Sequence, residues 1–259
     1  MSLRSTIATP AGKQRYVRRM FATIADRYDL ITVALSYGRD RRWKDRLIAL
    51  AALTRDDRVL DLACGTGDIL FRAARTSGLA VGLDVTFRML QLAAAKRSLF
   101  RRSAGGAEAK APLVTGDMLA LPFPDANFTV VTTGYGLRNV PDLEQAIDEI
   151  ARVLAPGGRL LSLDFNRPAQ PVLRAAYLTY LTIVGSALGF VLHRDPDTYR
   201  YIPESIRNYP GAEGVARLLE KRGFEQVRVL PLLGGLMAIH TALRSPPSRA
   251  NARFGEASP

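Results

Sequence analysis

Two kinds of hydrophobic periodicity divide the chain near residue 57. In residues 14–53, apolar side chains such as Val17, Phe21 and Ile24 recur at three- and four-residue spacing, which is the period of an amphipathic helix. Beyond residue 57, short β-branched runs alternate with longer segments of helical period. Such alternation is typical of a parallel sheet with helices on both faces, so we predict an α/β fold.

The pattern predicts seven strands within one domain. The predicted strands cover 58–62, 80–84, 112–115, 128–132, 159–163, 226–230 and 236–243. Helices are expected near 43–52, 68–76, 86–100 and 143–154. We place the domain at 14–244, with a helical cap at 14–53, an insertion at 169–210 that serves as a lid or substrate-binding element, and disordered tails at 1–13 and 245–259.

The insertion contains a long uncharged segment. Residues 175–192 carry no charge over 18 positions, which is the lower limit for a membrane-spanning helix. The segment also carries Tyr, Thr and Ser, and a crossing would separate the last two strands from the sheet that they must join. We therefore expect a lid helix or a shallow interfacial helix.

The net positive charge of the sequence indicates an anionic partner. The sequence has 36 Lys and Arg against 24 Asp and Glu, a net charge of +12, and residues 1–58 alone hold 13 against 6. Unless it reflects arginine-rich codon usage, this concentration indicates a surface for an anionic partner, and acidic lipid is favoured. A nucleic-acid-binding protein is the alternative, but no nucleic-acid module is recognisable, so no nucleic acid is expected as partner. The single cysteine, Cys64, excludes an internal disulfide and favours the cytoplasm.

A glycine motif follows the first predicted strand. Residues 59–68 have the sequence V-L-D-L-A-C-G-T-G-D, in which a buried strand runs into a turn, and Gly65 and Gly67 let a ligand approach the backbone. Asp84 ends the next strand, 17 residues after Gly67, and is placed to accept the hydroxyls of an adenosine ribose. The spacing therefore predicts a nucleotide-type site at this edge of the sheet.

Neighbouring residues discriminate between nucleotide cofactors. A dinucleotide fingerprint would have a third glycine where this chain has Leu70. Asp61 and Asp68 add negative charge, which repels a diphosphate and attracts a sulfonium or ammonium, so S-adenosylmethionine is favoured over NAD. Asp117 is placed to accept from the adenine amino group and Met118 to pack on the ring, although a turn-forming role for Asp117 is the alternative.

Several motifs carry a family resemblance. The narrow ones are Y-D-L-I-T-x-x-x-S-Y-G-R-D-R-R-W-K at 28–44, G-L-R-N-V at 136–140 and D-T-Y-R-Y-I-P-E-S-I-R at 197–207. The more general ones are C-G-T-G-D at 64–68, P-F-P-D-A-N-F at 122–128 and R-V-L-A-P-G-G at 152–158. With these motifs, residues 14–243 resemble the C-methyltransferase family of menaquinone and ubiquinone biosynthesis, which is a family of class I methyltransferases.

The resemblance implies a Rossmann-like, seven-stranded, mostly parallel sheet with an antiparallel last strand. It implies S-adenosylmethionine as cofactor and methylation of a ring carbon of a demethylated isoprenoid quinol, and it is compatible with a homodimer. The basic first 58 residues and the apolar stretch after residue 174 together predict peripheral attachment to the inner face of the cell membrane. The resemblance adds Thr66 and Gly134 to the cofactor contacts, although relatives often have serine at Gly134. Asp40 replaces a frequent histidine and Asp164 a usual glutamate, which leaves the quinone type open. Another small-molecule or phospholipid-amine methyltransferase is the alternative.

Methylation of a ring carbon requires a quinol whose hydroxyl has begun to ionise, so an oxyanion must be stabilised. Arg138 is the predicted catalytic residue, because its guanidinium stays charged and offers several donors, and Asn139 can hold the same oxygen or a water. An ion pair of Arg138 with Asp142 or Glu144 is the structural alternative. The reaction requires no metal, and we predict no metal site.

Four residues are candidates for contact with the quinol. They are Tyr28, Tyr135, Tyr199 and Arg207. Tyrosines at helical spacing are more often packing residues, which is the alternative for the first three. The two histidines, His193 and His240, are expected to be packing or surface residues rather than bases.

Overall fold

Seven strands form one sheet at the centre of the molecule. The computed structural model describes residues 3–103, 111–194 and 198–246. The strands are β1 (Arg58–Leu62), β2 (Leu79–Asp84), β3 (Leu113–Thr115), β4 (Phe128–Gly134), β5 (Leu154–Phe165), β6 (Phe224–Leu232) and β7 (Met237–Arg244). They lie in the order β3-β2-β1-β4-β5-β7-β6, and β7 is antiparallel to both neighbours, whereas the pairs among β1 to β5 are parallel. The predicted sheet is confirmed.

Ten helices surround the sheet in the described part of the chain. They are α1 (Leu3–Ile7), α2 (Pro10–Ile24), α3 (Tyr28–Leu35), α4 (Asp40–Ala51), α5 (Asp68–Ala73), α6 (Phe87–Ser103), α7 (Leu143–Val153), α8 (Pro171–His193), α9 (Tyr201–Asn208) and α10 (Gly211–Lys221). Short 3₁₀ turns cover Ala25–Arg27, Leu137–Asn139 and Leu233–Gly235.

Helices cover both faces of the sheet, because successive residues of a strand point to opposite sides. Val59 of β1 belongs to one core cluster, with Leu47 of α4 and Leu70 of α5. Leu60 belongs to the other, with Ile147 of α7. All five side chains are fully buried, and each contributes roughly 2 kcal/mol by leaving water. The two layers hold the ends of the strands rigidly, and the candidate site is built at those ends.

The N-terminal segment is helical, so the prediction of a disordered tail at 1–13 is wrong for the residues that the structure describes. The side chain of Thr9 caps α2 by accepting from the N–H of Gly12 at 3.2 Å, and Pro10 is the first helical residue. Both are ordinary signals of a helix start. Ile7 is buried in a cluster with α2, which holds α1 against the domain.

The predicted helical cap consists of three helices. A 3₁₀ turn at Ala25–Arg27 separates α2 from α3. A tight turn with positive φ at Tyr37 (53°) and Gly38 (71°) separates α3 from α4. These turns bring the three helices across the carboxyl edge of the sheet, where the candidate site lies.

The insertion contains α8 and α9. One side of α8 is buried at Tyr177, Leu178 and Leu181, whereas Ile183 and Phe190 are each 65% exposed. Among the described residues, α8 is the helix long and apolar enough to cross a membrane, with a mean hydropathy of 1.7 over a window that is 28% buried. The strand before it, β5, pairs with β7 after it, so both ends of α8 return to one sheet. Most of the predicted C-terminal tail lies outside the described residues.

Candidate active site

A glycine turn joins β1 to α5 at the carboxyl edge of the sheet. Ala63, Gly65 and Gly67 have positive φ angles of 50°, 54° and 87°, a conformation that glycine adopts without steric cost. A Cβ on Gly67 would lie 2.4 Å from the Phe71 ring, so a side chain there would displace that ring. A Cβ on Gly65 would have no neighbour within 3.7 Å, the nearest being Tyr28 at 3.8 Å. The backbone at Gly65 therefore borders open space.

Asp84 ends β2 beside this turn, as its spacing predicts. Its Oδ2 accepts a hydrogen bond from the N–H of Gly65 at 2.8 Å, and its Oδ1 accepts one from the N–H of Thr86 at 2.7 Å. Burial raises the pKa of the carboxyl, and the two hydrogen bonds oppose that effect. Each oxygen keeps a further lone pair for a ligand hydroxyl.

Asp117 and Met118 follow β3, and α2 lies over them. The N–H of Leu119 donates to Asp117 Oδ1 at 3.0 Å, and the side-chain amide of Gln14 donates to Asp117 Oδ2 at 2.5 Å. Gln14 and Phe21 of α2 line the cavity that Asp117 faces. Sequence reasoning did not predict that α2 covers this cavity. The helical period shows which face of α2 is apolar, but it does not show which part of the sheet that face packs against.

These elements enclose a first cavity of about 730 Å³. The predicted cofactor residues that line it are Gly65, Asp84, Asp117, Met118 and Gly134. Asp61 and Thr66 line a smaller adjoining cavity, whereas Gly67 lines neither and makes the turn instead. The Thr66 hydroxyl donates to Asp29 at 2.7 Å and accepts from Lys96 at 2.9 Å, so its side chain is already engaged.

A second cavity of about 600 Å³ adjoins the first beneath the helical cap. Its lining is mostly apolar, and Arg138 is its charged member in the described part of the chain. Asn139, Tyr28, Tyr135 and Tyr199 line it as well, so five of the six predicted catalytic and substrate residues meet here. Tyr28, Tyr135 and Asn139 also line the first cavity, and ligands in the two cavities would touch at these side chains.

Arg207 lies apart from the other predicted substrate residues. Its side chain is 41% exposed and pairs with Glu204 at 2.8 Å, one turn earlier in α9. It lines neither the first nor the second cavity, so the prediction of Arg207 as a substrate contact is corrected. The motif at 197–207 brings Tyr199 to the cavity, but the helical turn carries Arg207 outward.

Arg138 is buried and held by the end of β5. Its Nε donates to Asp164 Oδ1 at 3.2 Å, its backbone N–H donates to Asp164 Oδ2 at 3.1 Å, and Nη1 donates to Ser205. The guanidinium lies 4.9 Å from the centre of the Phe165 ring. Burial raises the pKa of Asp164, and the charge of Arg138 opposes that effect. No described residue accepts a hydrogen bond from Nη2, which leaves that group for a ligand.

The structural alternative for Arg138, an ion pair with Asp142 or Glu144, is wrong. Asp142 caps α7 by accepting from the N–H of Gln145 at 3.0 Å, and Glu144 pairs with Arg222. Asp164 is the partner, because β5 lies beside β4 in the sheet. Sequence reasoning noted Asp164 only as a departure from the family pattern.

Asn139 presents an unused acceptor. Its Nδ2 donates to the carbonyl oxygen of Tyr135 at 2.6 Å. Its Oδ1 is buried and has no hydrogen-bond partner among the described residues. A buried acceptor without a partner is costly, and Asn139 borders both cavities, so a ligand hydroxyl or a water can satisfy it.

The two histidines contact neighbouring elements of the fold and not the cavities. His240 is buried, with Nδ1 3.1 Å from Ser162 Oγ and Nε2 2.9 Å from the carbonyl oxygen of Ala212, and burial lowers its pKa. His193 Nε2 lies 2.8 Å from the hydroxyl of Tyr199. Neither ring lines the first or second cavity, as expected for packing residues.

Comparison with known proteins identifies the family and confirms the resemblance. The model of the ubiE/COQ5 methyltransferase family matches residues 9–244. The chain is 37% identical to the demethylmenaquinone methyltransferase of Roseiflexus castenholzii, over 93% of this chain and 98% of that protein. It is 38% identical to the ubiquinone/menaquinone biosynthesis C-methyltransferase UbiE of Azotobacter vinelandii, over 90% and 91%.

Solved structures show the same fold. The magnesium protoporphyrin IX methyltransferase of Synechocystis, with bound SAH, is similar with a TM-score of 0.61 and 17% identity, over 90% of this chain and 100% of that one. A methyltransferase of Thermotoga maritima is similar with a TM-score of 0.61 and 16% identity, over 88% and 100%. The fold is that of class I methyltransferases, and from the match over nearly its whole length the chain belongs to the ubiE/COQ5 methyltransferase family.

Proposed function

We propose that the chain transfers the methyl group of S-adenosylmethionine to a ring carbon of a demethylated isoprenoid quinol. One observation carries this proposal: a cavity lined by carboxylates and glycine backbone meets an apolar cavity that contains Arg138, and the two share Tyr28, Tyr135 and Asn139. The names of the relatives, which include both menaquinone and ubiquinone, support a quinol as the acceptor.

The residues around the first cavity fit S-adenosylmethionine. Asp84 offers acceptors for the ribose hydroxyls, and Asp117 offers one for the adenine amino group. In the smaller adjoining cavity, Asp61 Oδ2 is buried and without a hydrogen-bond partner among the described residues, and a cationic group satisfies such an oxygen. When bound, S-adenosylmethionine supplies an electrophilic methyl group on a sulfonium.

The second cavity supplies the electrostatics that carbon methylation requires. Arg138, oriented by Asp164, stabilises the negative charge that develops on the quinol oxygen as its hydroxyl proton passes to a water. Electron density then reaches the adjacent ring carbon, which takes the methyl group; the ring carbon loses its own proton to water and the oxygen regains one. Asn139 Oδ1 orients the same hydroxyl or a water. Tyr28 and Tyr135 exclude water from the path between the cavities. Burial raises the pKa of Tyr28 to about 12, so its hydroxyl stays neutral.

The test is methyl transfer by the purified protein from methyl-labelled S-adenosylmethionine to demethylmenaquinol or a demethylated benzoquinol. We expect label in the ring of one or both products. Label in phosphatidylethanolamine instead, or no label in either quinol, would overturn the proposal. Arg138→Ala is expected to lower kcat by about 10²-fold or more while S-adenosylhomocysteine still binds. Equal loss of both would give Arg138 a structural role, and Arg138→Lys, which keeps a charge beside Asp164, checks the fold.

We also propose that the protein is a cytoplasmic enzyme that works on the surface of an anionic membrane. The supporting surface, here named the α3–α8 face, consists of exposed apolar side chains on α3, on the turn that follows α3, and on α8. Its members are Leu30, Val33, Tyr37, Val172, Ile183, Phe190 and Val191. Tyr37 stacks on Tyr180 of α8, with ring centroids 5.7 Å apart, and this contact joins the two helices into one face.

Three exposed arginines follow α3 in the chain. Arg39 precedes α4, and Arg41 and Arg42 lie in its first turn. A combination of apolar side chains and arginines is typical of contact with anionic lipid. The inner side of α3, with Ile31 and Leu35, lines the second cavity. The same helix can thus face lipid on one side and the quinol on the other, which leaves a short path for an isoprenoid tail.

A further inference from the structure

Two buried tyrosine hydroxyls at the ends of α9 have no hydrogen-bond partner in the part of the chain that the structure describes. They belong to Tyr201, the first residue of α9, and to Tyr209, which follows its last residue. The two residues are 1% and 4% exposed, so bulk water does not reach them freely. A buried hydroxyl without a partner is costly, and in a native protein it calls for an explanation.

The surroundings of the two tyrosines differ. Tyr201 lines the second cavity, whereas Tyr209 lines neither the first cavity nor the second. The ring of Tyr201 lies against α2, with its centroid 5.4 Å from that of Tyr16, and belongs to a core cluster with apolar residues of that helix. Because packing on α2 holds the ring in place, the second cavity is the side from which a ligand acceptor can reach its hydroxyl.

Helix α9 brings a second side chain to the same place. Ser205 follows Tyr201 by four residues and accepts a hydrogen bond from Arg138 Nη1. Its own hydroxyl donates to the carbonyl oxygen of Ile202 at 2.8 Å, which leaves the oxygen turned toward the guanidinium. Residues four apart lie on one face of a helix, so Tyr201 and Arg138 are brought to the second cavity by the same face of α9. Arg138 Nη2 is the other donor there without an acceptor among the described residues.

The Tyr201 hydroxyl is neutral. Burial raises the pKa of Tyr201 above its ordinary value, the charge of Arg138 opposes this effect, and Asp164 and Tyr16 add to it. The phenol therefore keeps its proton near neutral pH. It can donate a hydrogen bond to a ligand, but it is a poor base.

A neutral donor and a cationic donor that border one apolar cavity match an oxygen on which negative charge develops. We propose that Tyr201 is a catalytic residue that donates a hydrogen bond to the same quinol oxygen as Arg138. Tyr201 keeps its proton in this role. The hydroxyl proton of the quinol passes to water, the methyl group moves to the ring carbon, sulfur retains the electron pair of the broken bond, and the ring carbon then releases its own proton to water. The role rests on the proposed function, because it requires a quinol as methyl acceptor.

Tyr201→Phe tests the proposal, because it removes the hydroxyl and keeps the ring that packs on α2. With methyl-labelled S-adenosylmethionine and the quinol that the unsubstituted protein methylates, we expect kcat to fall about 10²-fold and KM for the quinol to change less than about threefold. The pH profile of kcat should move upward by about one unit or more, because the bound quinol ionises less readily. Binding of S-adenosylhomocysteine, measured by calorimetry, should stay within about twofold.

Tyr209→Phe is the matched control. It removes a similarly buried hydroxyl that also experiences the charges of Asp164 and Arg138, but it changes neither cavity. Its kcat and pH profile should equal those of the unsubstituted protein. Both variants should unfold at the same temperature as the unsubstituted protein or at a higher one, because each loses a buried hydroxyl without a partner.

Unchanged kcat in Tyr201→Phe would overturn the proposal, and so would equal losses of kcat in the two variants. A raised KM with unchanged kcat and an unchanged pH profile would also overturn it, because Tyr201 would then bind the ground state and the transition state equally. In these outcomes the unsubstituted protein still methylates its quinol, so the proposed function stands. If the unsubstituted protein methylates neither quinol, the proposed function fails and the role of Tyr201 fails with it.

Discussion

At the scale of single residues, burial of Asp61 links the stability of the ligand-free protein to pH. Burial raises the pKa of Asp61 from 3.8 to about 7. Between these values the folded protein holds a proton that the unfolded chain has released. The free energy of unfolding therefore falls as the pH rises through this window, because unfolding releases a proton that burial makes the folded protein keep.

Asp61→Asn should remove this dependence. The unsubstituted protein should lose stability from about pH 5 to about pH 8, whereas the variant should not. The difference in the free energy of unfolding between them should therefore change in favour of the variant by on the order of a few kcal/mol over this range. Denaturant unfolding without cofactor at both pH values measures it. Asp125→Asn, at a carboxylate whose side chain is 78% exposed, is the control. Parallel pH profiles of the Asp61 variant and the unsubstituted protein would contradict the prediction.

The residues that sequence could predict are those fixed by local spacing. Gly65, Gly67 and Asp84 follow from one strand, one turn and the next strand, so their places needed no knowledge of distant packing. The pair of Arg138 and Asp164 depends instead on which strands lie side by side. The contact of Gln14 with Asp117, 103 residues away, depends on how a helix docks, and no local pattern contains that information.

At the scale of elements, α2 is attached to the site by side chains. Lys13 Nζ donates to the carbonyl oxygens of Arg138 at 3.1 Å and Val140 at 2.6 Å. Gln14, beside it, holds Asp117. Because Arg138 lies in the 3₁₀ turn at Leu137–Asn139, α2 is attached to the segment that carries the proposed catalytic pair. These bonds hold α2 over the first cavity, which Gln14 and Val17 line.

Lys13→Met should loosen this attachment of α2. The substitution keeps the apolar stem and removes two hydrogen bonds, so we expect backbone amides of α2 to exchange with deuterium about tenfold faster. Hydrogen exchange followed by mass spectrometry measures this. Arg15→Met, at an exposed position of the same helix, is the control and should exchange normally. Unchanged protection in the Lys13 variant would show that packing alone holds α2.

Sequence also misplaced some element boundaries, for physical reasons. The strand predicted at 159–163 begins at Leu154 in the structure. Leu154 pairs with Phe128, and the next paired residue is Arg159, opposite Val130. Residues 155–158, A-P-G-G, form an irregularity between these pairs, with a positive φ of 73° at Gly157. The turn composition was therefore a correct local signal, but it marks a break within the strand and not its start. The helices and strands themselves were predicted, since their periods extend over many residues.

At the scale of the whole molecule, the proposed membrane contact combines two kinds of surface. The α3–α8 face supplies exposed apolar side chains, and the arginines after α3 supply positive charge. Helices α4 and α8 pack in one core cluster, whereas α10 packs in the other. If the proposal holds, two attractions act at the bilayer, and salt weakens the attraction between charges but not the apolar one.

Cosedimentation with phosphatidylcholine vesicles, with and without phosphatidylglycerol, separates the two attractions. Ile183→Gln with Phe190→Gln should weaken binding about tenfold at any salt concentration. Arg41→Gln with Arg42→Gln should weaken it mainly at low salt, and Arg217→Gln, exposed on α10, should have little effect. Absence of binding to anionic vesicles at low salt would sink the membrane proposal. A stable dimer that the glutamine pair dissociates would assign the α3–α8 face to a second copy, and tighter binding to RNA would favour a nucleic-acid partner.

The position of β7 has a consequence for biosynthesis. The last strand of the chain lies between β5 and β6, so the ribosome makes the inner strand after both of its neighbours. Until Met237–Arg244 emerges, β5 exposes a row of unpaired backbone groups, and β6 has no place to attach. The nascent chain therefore carries an unpaired strand edge from the completion of β5 at Phe165 until β7 emerges, and a chain that stops before β7 would keep this edge exposed to chaperones and proteases.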